Sequence, residues 1–215
     1  MRVRSRSINA GELGQPDAGV WQQAESQQIA LMGVPLSMQP SAFIANTWSG
    51  KTVGAISSVR FSSLHNAEVI ALRLEWADPN QDLDVDDNDH FPDGAAVMFP
   101  LKGDAPLVTM GSVDQPVNAW HWRADRSGEA RNNVATGFGS TRVTSGAGIA
   151  TSARYHAGGW QLVFVRQLQM SGVESTVQFA TGENIRIAFA VWEGSHGERA
   201  GLKAFSPQWH ELSLD

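Results

Sequence analysis

The sequence predicts an all-β fold, specifically an antiparallel two-sheet β-sandwich with long loops and little helix. Apolar and polar residues alternate over many short segments that turn residues separate, and helical periodicity is scarce. No internal repeat is evident, and 215 residues is within the range of one sandwich domain. We therefore expect residues 21–215 to form a single domain.

The first twenty residues mix polar residues with glycine, and we interpret residues 1–20 as an N-terminal arm. The arm could lie on the domain or on a partner, and a frayed terminus is an equal alternative. Basic residues at the start are followed by no apolar segment, so the sequence as written shows no signal peptide.

Several segments show the strand pattern clearly. In residues 68–76, Ile70, Leu72 and Leu74 would share one face of a half-buried strand. A hairpin turn is expected just before it, at residues 65–67, because Asn66 tolerates left-handed backbone. The other expected strands are residues 95–99, 160–168 and 183–193, with shorter alternating runs at 26–34 and 52–61.

Composition excludes several functions. A formal net charge of −6 disfavours nonspecific nucleic-acid binding, which needs a basic surface. Cysteine is absent, so disulfides, iron–sulfur ligation, thiolate-bound zinc and covalent haem attachment are excluded together. No apolar run has the length of a membrane span.

Two polar segments are interpreted as loops. Residues 78–89 are acidic and are spaced somewhat like a calcium-binding loop, although glycine is missing at the sixth place and Asp93 stands where glutamate is expected. A solvated loop is the preferred interpretation. The Gly-, Ser- and Thr-rich residues 126–148 are expected to form a lid or a docking surface. The aspartates of the acidic loop before Asp93 are Asp78, Asp82, Asp84, Asp86, Asp87 and Asp89.

The most informative stretch is residues 91–125. It contains a Phe-Pro-Asp-Gly turn, a strand-like segment at residues 106–110 followed by Gly111, and the ring-rich run Trp120-His121-Trp122. Met110 would end a strand at the edge of a sheet, where its soft thioether could bind a metal such as haem iron. A core methionine is the commoner role in general. Met98 is the alternative ligand, although its mid-strand place indicates core or pocket lining.

Spaced motifs across most of the chain resemble the haem b-binding gamma subunit of the type II dimethyl-sulfoxide-reductase family of molybdenum enzymes. That family includes ethylbenzene dehydrogenase, dimethylsulfide dehydrogenase, chlorate reductase and selenate reductase. The resemblance runs from about Trp21 to the end of the chain. The matching motifs are FPDGAAV (91–97), MG (110–111), PVNAWHWRAD (116–125), VWEG (191–194), GLKAFS (201–206) and Trp209.

The resemblance implies a β-sandwich that holds one noncovalent haem b per chain, with Met110 and Lys203 as the axial iron ligands. Without it, a lysine in the segment GSHGERAGLKAFS would be interpreted as solvated. To bind iron, Lys203 must lose its proton, which burial and coordination both favour. Two axial ligands leave no open position on iron, which is typical of electron transfer.

Histidine is the usual haem ligand, so His121 is the strongest rival to these two residues. The remaining histidines lie in predicted loops or near strand ends, and we expect them at the surface. Arg123, Arg154 and Arg199 are candidate partners for haem propionates by charge alone. The five histidines other than His121 are His65, His90, His156, His196 and His210.

By resemblance, the chain is a non-catalytic electron-transfer subunit of a heterotrimer. It would relay electrons between an iron–sulfur beta subunit, beside a molybdenum-containing alpha subunit, and a soluble cytochrome or other carrier. The resemblance implies a periplasmic location. No nucleic-acid partner and no membrane span are expected.

Two other functions remain open on the sequence. A carbohydrate-binding module could share the fold and would present exposed tryptophan pairs to sugars. A hydrolase could use paired carboxylates such as Asp93 and Asp125, although no Gly-x-Ser-x-Gly or triad-like signature supports it.

Overall fold

A computed structural model of the protein describes residues 1–5, 7–39, 41–85, 89–126, 128–173 and 175–215. Asp86 and Asp87 of the predicted acidic loop lie outside the described residues. The helices are short: α1 is Ala10–Leu13, α2 is Ala42–Thr47, and 3-10 turns occupy Gly19–Gln23 and Leu36–Met38. The strands are β1 Arg2–Ser5, β2 Ser26–Ala30, β3 Met32–Gly33, β4 Ser58–His65, β5 Val69–Ala77, β6 Gly94–Pro100, β7 Val117–Arg123, β8 Arg131–Ala135, β9 Arg142–Thr144, β10 Ala150–Tyr155, β11 Gly159–Gln167, β12 Asn184–Trp192, β13 Ala204–Phe205 and β14 His210–Leu214.

The strands form one hydrogen-bonded path in the order β10-β11-β5-β4-β1-β14-β12-β6-β7-β8-β9. β2 pairs with β4, and β13 joins β12 to β3. Strand β1 lies between the two halves of the path, paired with β4 on one side and with β14 on the other. The predicted all-β architecture is therefore confirmed.

The two halves pack face to face through large aromatic side chains. Phe61 of β4 contacts Phe189 of β12 at 4.9 Å between ring centroids, and Trp120 of β7 contacts Phe164 of β11 at 6.3 Å. Both contacts cross from the β4–β5–β11 half to the β12–β6–β7 half. Because burial of apolar surface is the main favourable term in folding, this ring-rich layer holds the sandwich together.

The strongest sequence predictions are confirmed. Strands β5 and β11 pair antiparallel over their whole lengths, and β12 pairs with β6. A tight turn joins β4 to β5 as expected, but Ala67 adopts the left-handed backbone, with φ of 70°. Asn66 instead stabilises the turn by accepting hydrogen bonds from the Glu68 and Val69 amides.

Three local expectations are corrected or refined. Residues 107–110 form a hydrogen-bonded turn, so the predicted strand at 106–110 is wrong. The sheet is not purely antiparallel, because β1 pairs in parallel with both of its neighbours. The polar segment 126–148 contains β8 and β9 and is not one loop. Within the predicted N-terminal arm, Val3 is fully buried on β1.

A buried amide links β7 to the segment before β12. Asn118 donates from Nδ2 to Asn132 Oδ1 at 2.7 Å and to the Asn133 carbonyl at 3.0 Å. Its Oδ1 accepts from Trp120 Nε1 at 3.2 Å and from the Val177 amide at 3.1 Å. Because unpaired buried polar groups destabilise a fold, this side chain fixes the packing of β7, of β8 and of the segment before β12.

We expect Asn118→Ala to lower the free energy of unfolding by about 2 to 4 kcal/mol, because it leaves buried donors of Trp120 and Val177 without an acceptor. Urea denaturation measures the change. The same substitution at exposed Asn184 is expected to cost no more than about 0.5 kcal/mol. Equal losses for the two variants would contradict the role given to the buried network.

Candidate functional site

An apolar cavity of about 410 Å³ lies on the second sheet of the sandwich (the half formed by β12, β6, β7 and β8), on the face opposite the aromatic layer. Along β6, β7 and β12, the inward positions carry mostly large side chains, and the outward positions carry alanines together with Met98, His121 and Trp192. The outward positions form a floor made largely of alanine, which leaves room for a flat ligand against the backbone. The floor alanines that line the cavity are Ala96, Ala119, Ala135, Ala188 and Ala190.

Met110 reaches this cavity from the turn between β6 and β7. The Met110 amide donates to the Leu107 carbonyl at 3.0 Å, and the Gly111 amide donates to the Pro106 carbonyl at 2.8 Å. Met110 itself has φ of 60°, a backbone conformation that is uncommon for a residue with a side chain. The turn therefore holds Met110 in one defined orientation.

Gly111 allows this turn to approach the neighbouring strands. Its φ is 85°, and a Cβ atom there would lie 2.9 Å from the Gln115 carbonyl oxygen and 3.0 Å from that of Ala135. Both obstacles are backbone atoms, which cannot move aside as a flexible side chain can. Glycine is required at this position by both backbone conformation and space.

Lys203 enters the cavity from the loop between β12 and β13. Its carbonyl accepts from the Val34 amide at 3.0 Å, and β13 begins at the next residue. Earlier in the same loop, the Glu198 carboxylate accepts from the backbone amides of Gly54 and Ala55 at 2.6 and 2.9 Å. The loop is thus tied to residues 34 and 54–55, far away in the sequence.

The two predicted ligands meet inside the cavity. Lys203 Nζ lies 3.7 Å from Met110 Sδ and 5.2 Å from the centre of the Trp192 ring. Burial lowers the pKa of Lys203 from its ordinary 10.5 to about 8. No aspartate or glutamate of the described chain lines the cavity, so nothing acidic there favours the charged amine.

His121 and Met98 line the same cavity. The His121 ring packs against Trp192 with 4.9 Å between centroids. Burial, and then the positive charge of Lys203, lower the pKa of His121 to about 4, so its ring is neutral at pH 7. The two alternative ligands named from the sequence thus line the same cavity as Met110 and Lys203.

The other candidates lie elsewhere. His65 is buried and contacts the Asp215 carbonyl, so its expected surface position is wrong. Arg123 and Arg154 form ion pairs with Asp125 and Asp17, and Arg199 stacks over the Phe91 ring. These three arginines are all described, and none of them lines the cavity.

Sequence reasoning missed part of the lining. Val34 and Gln39 come from the segment before α2, and Phe138 comes from the turn between β8 and β9. The alanine floor carried a readable signal in β12, because Ala188 and Ala190 alternate there with large apolar residues. A strand with small residues on one face and large ones on the other can border a cavity and a core at once.

The residues fit a haem. A thioether and an amine, both useful metal donors when neutral, face each other across an apolar cavity that has polar groups at a few points. Lys203 Nζ lies within direct hydrogen-bond distance of Met110 Sδ, at 3.7 Å, so the two donor atoms converge on one point of the cavity. The fold and site thus define a β-sandwich in which a methionine and a lysine meet at an apolar cavity.

The chain belongs to the ethylbenzene dehydrogenase family, whose family model matches residues 18–151 and 139–204. It is 32% identical to the chlorate reductase subunit gamma of Ideonella dechloratans over 98% of this chain and 83% of that protein. It is 34% identical, over 91% of this chain and 67% of the other, to a Haloferax mediterranei protein provisionally named respiratory nitrate reductase heme subunit. The dimethylsulfide dehydrogenase subunit gamma of Rhodovulum sulfidophilum is 32% identical over 66% of this chain and 55% of that protein. The gamma-subunit resemblance predicted from sequence motifs is confirmed.

Solved structures with the same fold include carbohydrate-binding domains. A family 9 carbohydrate-binding module from Caldicellulosiruptor kristjanssonii, in complex with glucose, aligns with a TM-score of 0.56 at 11% identity, covering 100% of this chain and 95% of that one. A provisionally described carbohydrate-binding protein from Bacteroides uniformis aligns at 0.55 and 11% identity, with coverages of 100% and 98%. At this identity the likeness shows the sandwich fold alone.

We expect Gly111→Ala to destabilise the protein more than Gly50→Ala does. Both glycines have φ near 80°, so both variants incur a left-handed backbone cost of about 1 to 2 kcal/mol. Only at Gly111 does the added Cβ also meet backbone oxygens, whereas nothing lies within 4 Å at Gly50. Urea denaturation of the two variants would contradict this account if their losses were equal.

The low pKa of Lys203 predicts a pH dependence in the haem-free protein. Between about pH 8 and 10.5 the unfolded state binds a proton that the folded state does not, so stability rises with pH across this window and falls as pH drops through 8. Lys203→Met should therefore exceed the wild type in stability at pH 7, by on the order of 1 to 3 kcal/mol. Denaturation at several pH values measures it. Lys102→Met, at an exposed lysine, should keep the wild-type profile, and the same profile in Lys203→Met would refute a buried amine.

Proposed function

We propose that this chain is an electron-transfer subunit that binds one noncovalent haem b, with Met110 and Lys203 as the axial iron ligands. The observation that carries the proposal is the meeting of Met110 Sδ and Lys203 Nζ, 3.7 Å apart, above a floor of alanines. The family's haem-named relative in Haloferax mediterranei supports the same cofactor.

The chain's own residues perform three tasks for the haem. Met110 would hold the iron through its sulfur, and Lys203 would hold it through its nitrogen once the amine has lost its proton. The alanine floor gives a flat apolar surface and excludes water. Neutral His121 adds no charge beside the ligand amine. When bound, the haem supplies one-electron redox chemistry, and an axial methionine raises its reduction potential.

With two protein ligands the iron would have no free position for substrate or oxygen, which favours a role in electron transfer. Electrons need a route into and out of the cavity, and two partly exposed apolar side chains, Val108 at 39% and Phe138 at 46%, stand in its wall. A partner that covers this side would bring its own redox centre close to the haem. The chain is in this proposal a carrier and not a catalyst.

The proposed partners follow the names of the relatives. Two of them are gamma subunits, one of chlorate reductase and one of dimethylsulfide dehydrogenase. We propose a heterotrimer with an iron–sulfur beta subunit and a molybdenum-containing alpha subunit, working in the periplasm with a soluble cytochrome or other carrier. In the part of the chain that the structure describes, no helix is long and apolar enough to cross a membrane.

The carbohydrate-binding alternative requires tryptophan faces open to solvent. All eight tryptophans belong to the described residues, and none is exposed. Six are buried, namely Trp21, Trp48, Trp76, Trp120, Trp122 and Trp160, while Trp192 and Trp209 are partly buried. The paired carboxylates of the hydrolase alternative are also not together in one cleft, because Asp93 is buried and Asp125 pairs with Arg123.

The purified chain should take up one equivalent of haem and give a reduced, low-spin b-type optical spectrum with dithionite. Met110→Ala and Lys203→Ala should each convert it to a high-spin or mixed spectrum, because each removes one axial ligand. Met170→Ala and Lys102→Ala, which make the same substitutions outside the cavity, should retain the low-spin spectrum.

His121→Ala separates the two ligand assignments. The proposal expects this variant to keep the low-spin spectrum, since His121 only lines the cavity. A loss of the low-spin state in His121→Ala, with no change in Met110→Ala and Lys203→Ala, would identify His121 as the iron ligand in their place. A wild-type chain that takes up no haem would refute the electron-transfer proposal.

A further inference from the structure

We propose that Asp78, Asp93 and Glu193 form a calcium-binding site outside the haem cavity. One carboxylate oxygen from each residue lies within 4.8 Å of those of the other two, and all three side chains are buried. None of the three lines the haem cavity. The inference is independent of the proposed haem function, because it uses different residues and has a different readout.

Strand ends bring these three residues together. Asp78 follows β5, Asp93 precedes β6, and Glu193 follows β12. β5 belongs to one half of the sandwich, and β6 and β12 belong to the other. The carboxylates therefore meet where the two layers close at one end, although 15 and 100 residues separate Asp93 from its two partners in the sequence.

Hydrogen bonds hold Asp93 and Glu193 in fixed orientations. Asp93 Oδ1 accepts from the Gly194 amide, and its Oδ2 accepts from Trp160 Nε1 and the Asp82 amide, each at 2.9 Å. Glu193 accepts from the His196 amide, from the Ser195 hydroxyl and from Asn80 Nδ2. Asp93 Oδ1 and Glu193 Oε2 each accept a single hydrogen bond and keep a free lone pair, so these bonds orient the carboxylates and leave one oxygen of each for coordination.

Asp78 provides the second, independent observation. The residue is fully buried, and its Oδ1 accepts from the Asn80 amide at 3.1 Å. Its Oδ2 is buried and has no hydrogen-bond partner among the described residues. The buried Trp76 indole N–H has no partner with good hydrogen-bond geometry either. It interacts with the Asp78 carboxylate and lowers the pKa of Asp78, but burial outweighs this effect. An unpaired carboxylate oxygen in the interior indicates a missing ligand.

The charge around the cluster is not balanced by the protein. Among the described residues, no arginine, lysine or histidine forms an ion pair with Asp78, Asp93 or Glu193. Burial, and then the neighbouring Asp93, raise the pKa of Asp78 to about 7. Buried carboxylates are normally paired or bound to a metal, and a cation would supply the compensation that this site lacks.

The donor set favours a hard divalent cation such as calcium. All three side chains offer hard oxygen donors, with no sulfur or imidazole to favour zinc or copper. Calcium–oxygen distances of about 2.3 to 2.6 Å allow donor atoms on opposite sides of the ion to lie up to about 5 Å apart. The spacing of the three oxygens is within this limit. Such an ion would also fix the start of the loop that ends at Lys203.

The test is calorimetric titration of the purified, chelator-treated chain with calcium chloride at pH 7.5. We expect saturable binding of one ion per chain and a rise in Tm when calcium is present. Asp78→Asn should weaken binding at least tenfold and abolish the calcium-dependent rise in Tm. In the absence of calcium, Asp78→Asn should be no less stable than the wild type, because it removes an uncompensated buried charge.

Asp84→Asn is the matched control, since Asp84 is an exposed carboxylate in the neighbouring acidic loop. It should bind calcium as the wild type does. If Asp78→Asn fails to fold by circular dichroism, Glu193→Gln replaces it with the same expectation. No saturable calcium binding by the wild type, or binding that Asp84→Asn abolishes and Asp78→Asn preserves, would overturn the proposal. The low-spin haem spectrum is recorded in parallel, so a failure of calcium binding is distinguished from a failure of haem binding.

Discussion

The contact between Met110 Sδ and Lys203 Nζ is the interaction on which the functional account depends. An amine that enters an apolar cavity without an acidic partner is driven toward its neutral form, and only the neutral form can donate to a metal. Holding the charged amine of Lys203 in the cavity therefore destabilises the folded chain, and coordination of the neutral amine to iron would remove this destabilisation. Much of the surrounding architecture serves to maintain this contact: the left-handed turn at Met110, the close approach at Gly111, and the anchored loop before β13.

The second sheet serves two environments at once. Its inward face supplies rings to the aromatic layer, and its outward face supplies the alanines of the cavity floor. Strand alternation makes this possible, because neighbouring residues on a strand point to opposite faces. The family's carbohydrate-binding fold neighbours share the sandwich, but fold alone does not determine function. Here the distinguishing features are the small outward residues and the two donors that rise above them.

The fold was predictable from sequence because strand periodicity is a local property. β5, β11 and β12 each alternate clearly, and the structure places all three as predicted. The parallel pairing of β1 was not predictable, because Arg2–Ser5 is short and its partners lie more than 55 residues away. The strand expected at 106–110 failed because turn hydrogen bonds and the positive φ of Met110 outweighed a weak local apolar pattern.

The site was predictable only in part. The convergence of Met110 and Lys203 depends on contacts 93 residues apart, and no local pattern encodes it; the motif resemblance provided that pair. The buried carboxylates of Asp78, Asp93 and Glu193 were missed for the same reason. Asp78 and Asp93 were noted only as part of an acidic segment interpreted as a solvated loop, with Asp93 also considered beside Asp125. Glu193 lies 100 residues further on, and the three meet only through closure of the two layers.

A crystal structure of the haem-loaded chain tests the central claim most directly. The account predicts that Met110 Sδ and Lys203 Nζ coordinate the iron from opposite sides, with the porphyrin over the alanine floor. A His121 ring nitrogen on the iron in place of either ligand, or a haem bound outside this cavity, would contradict it.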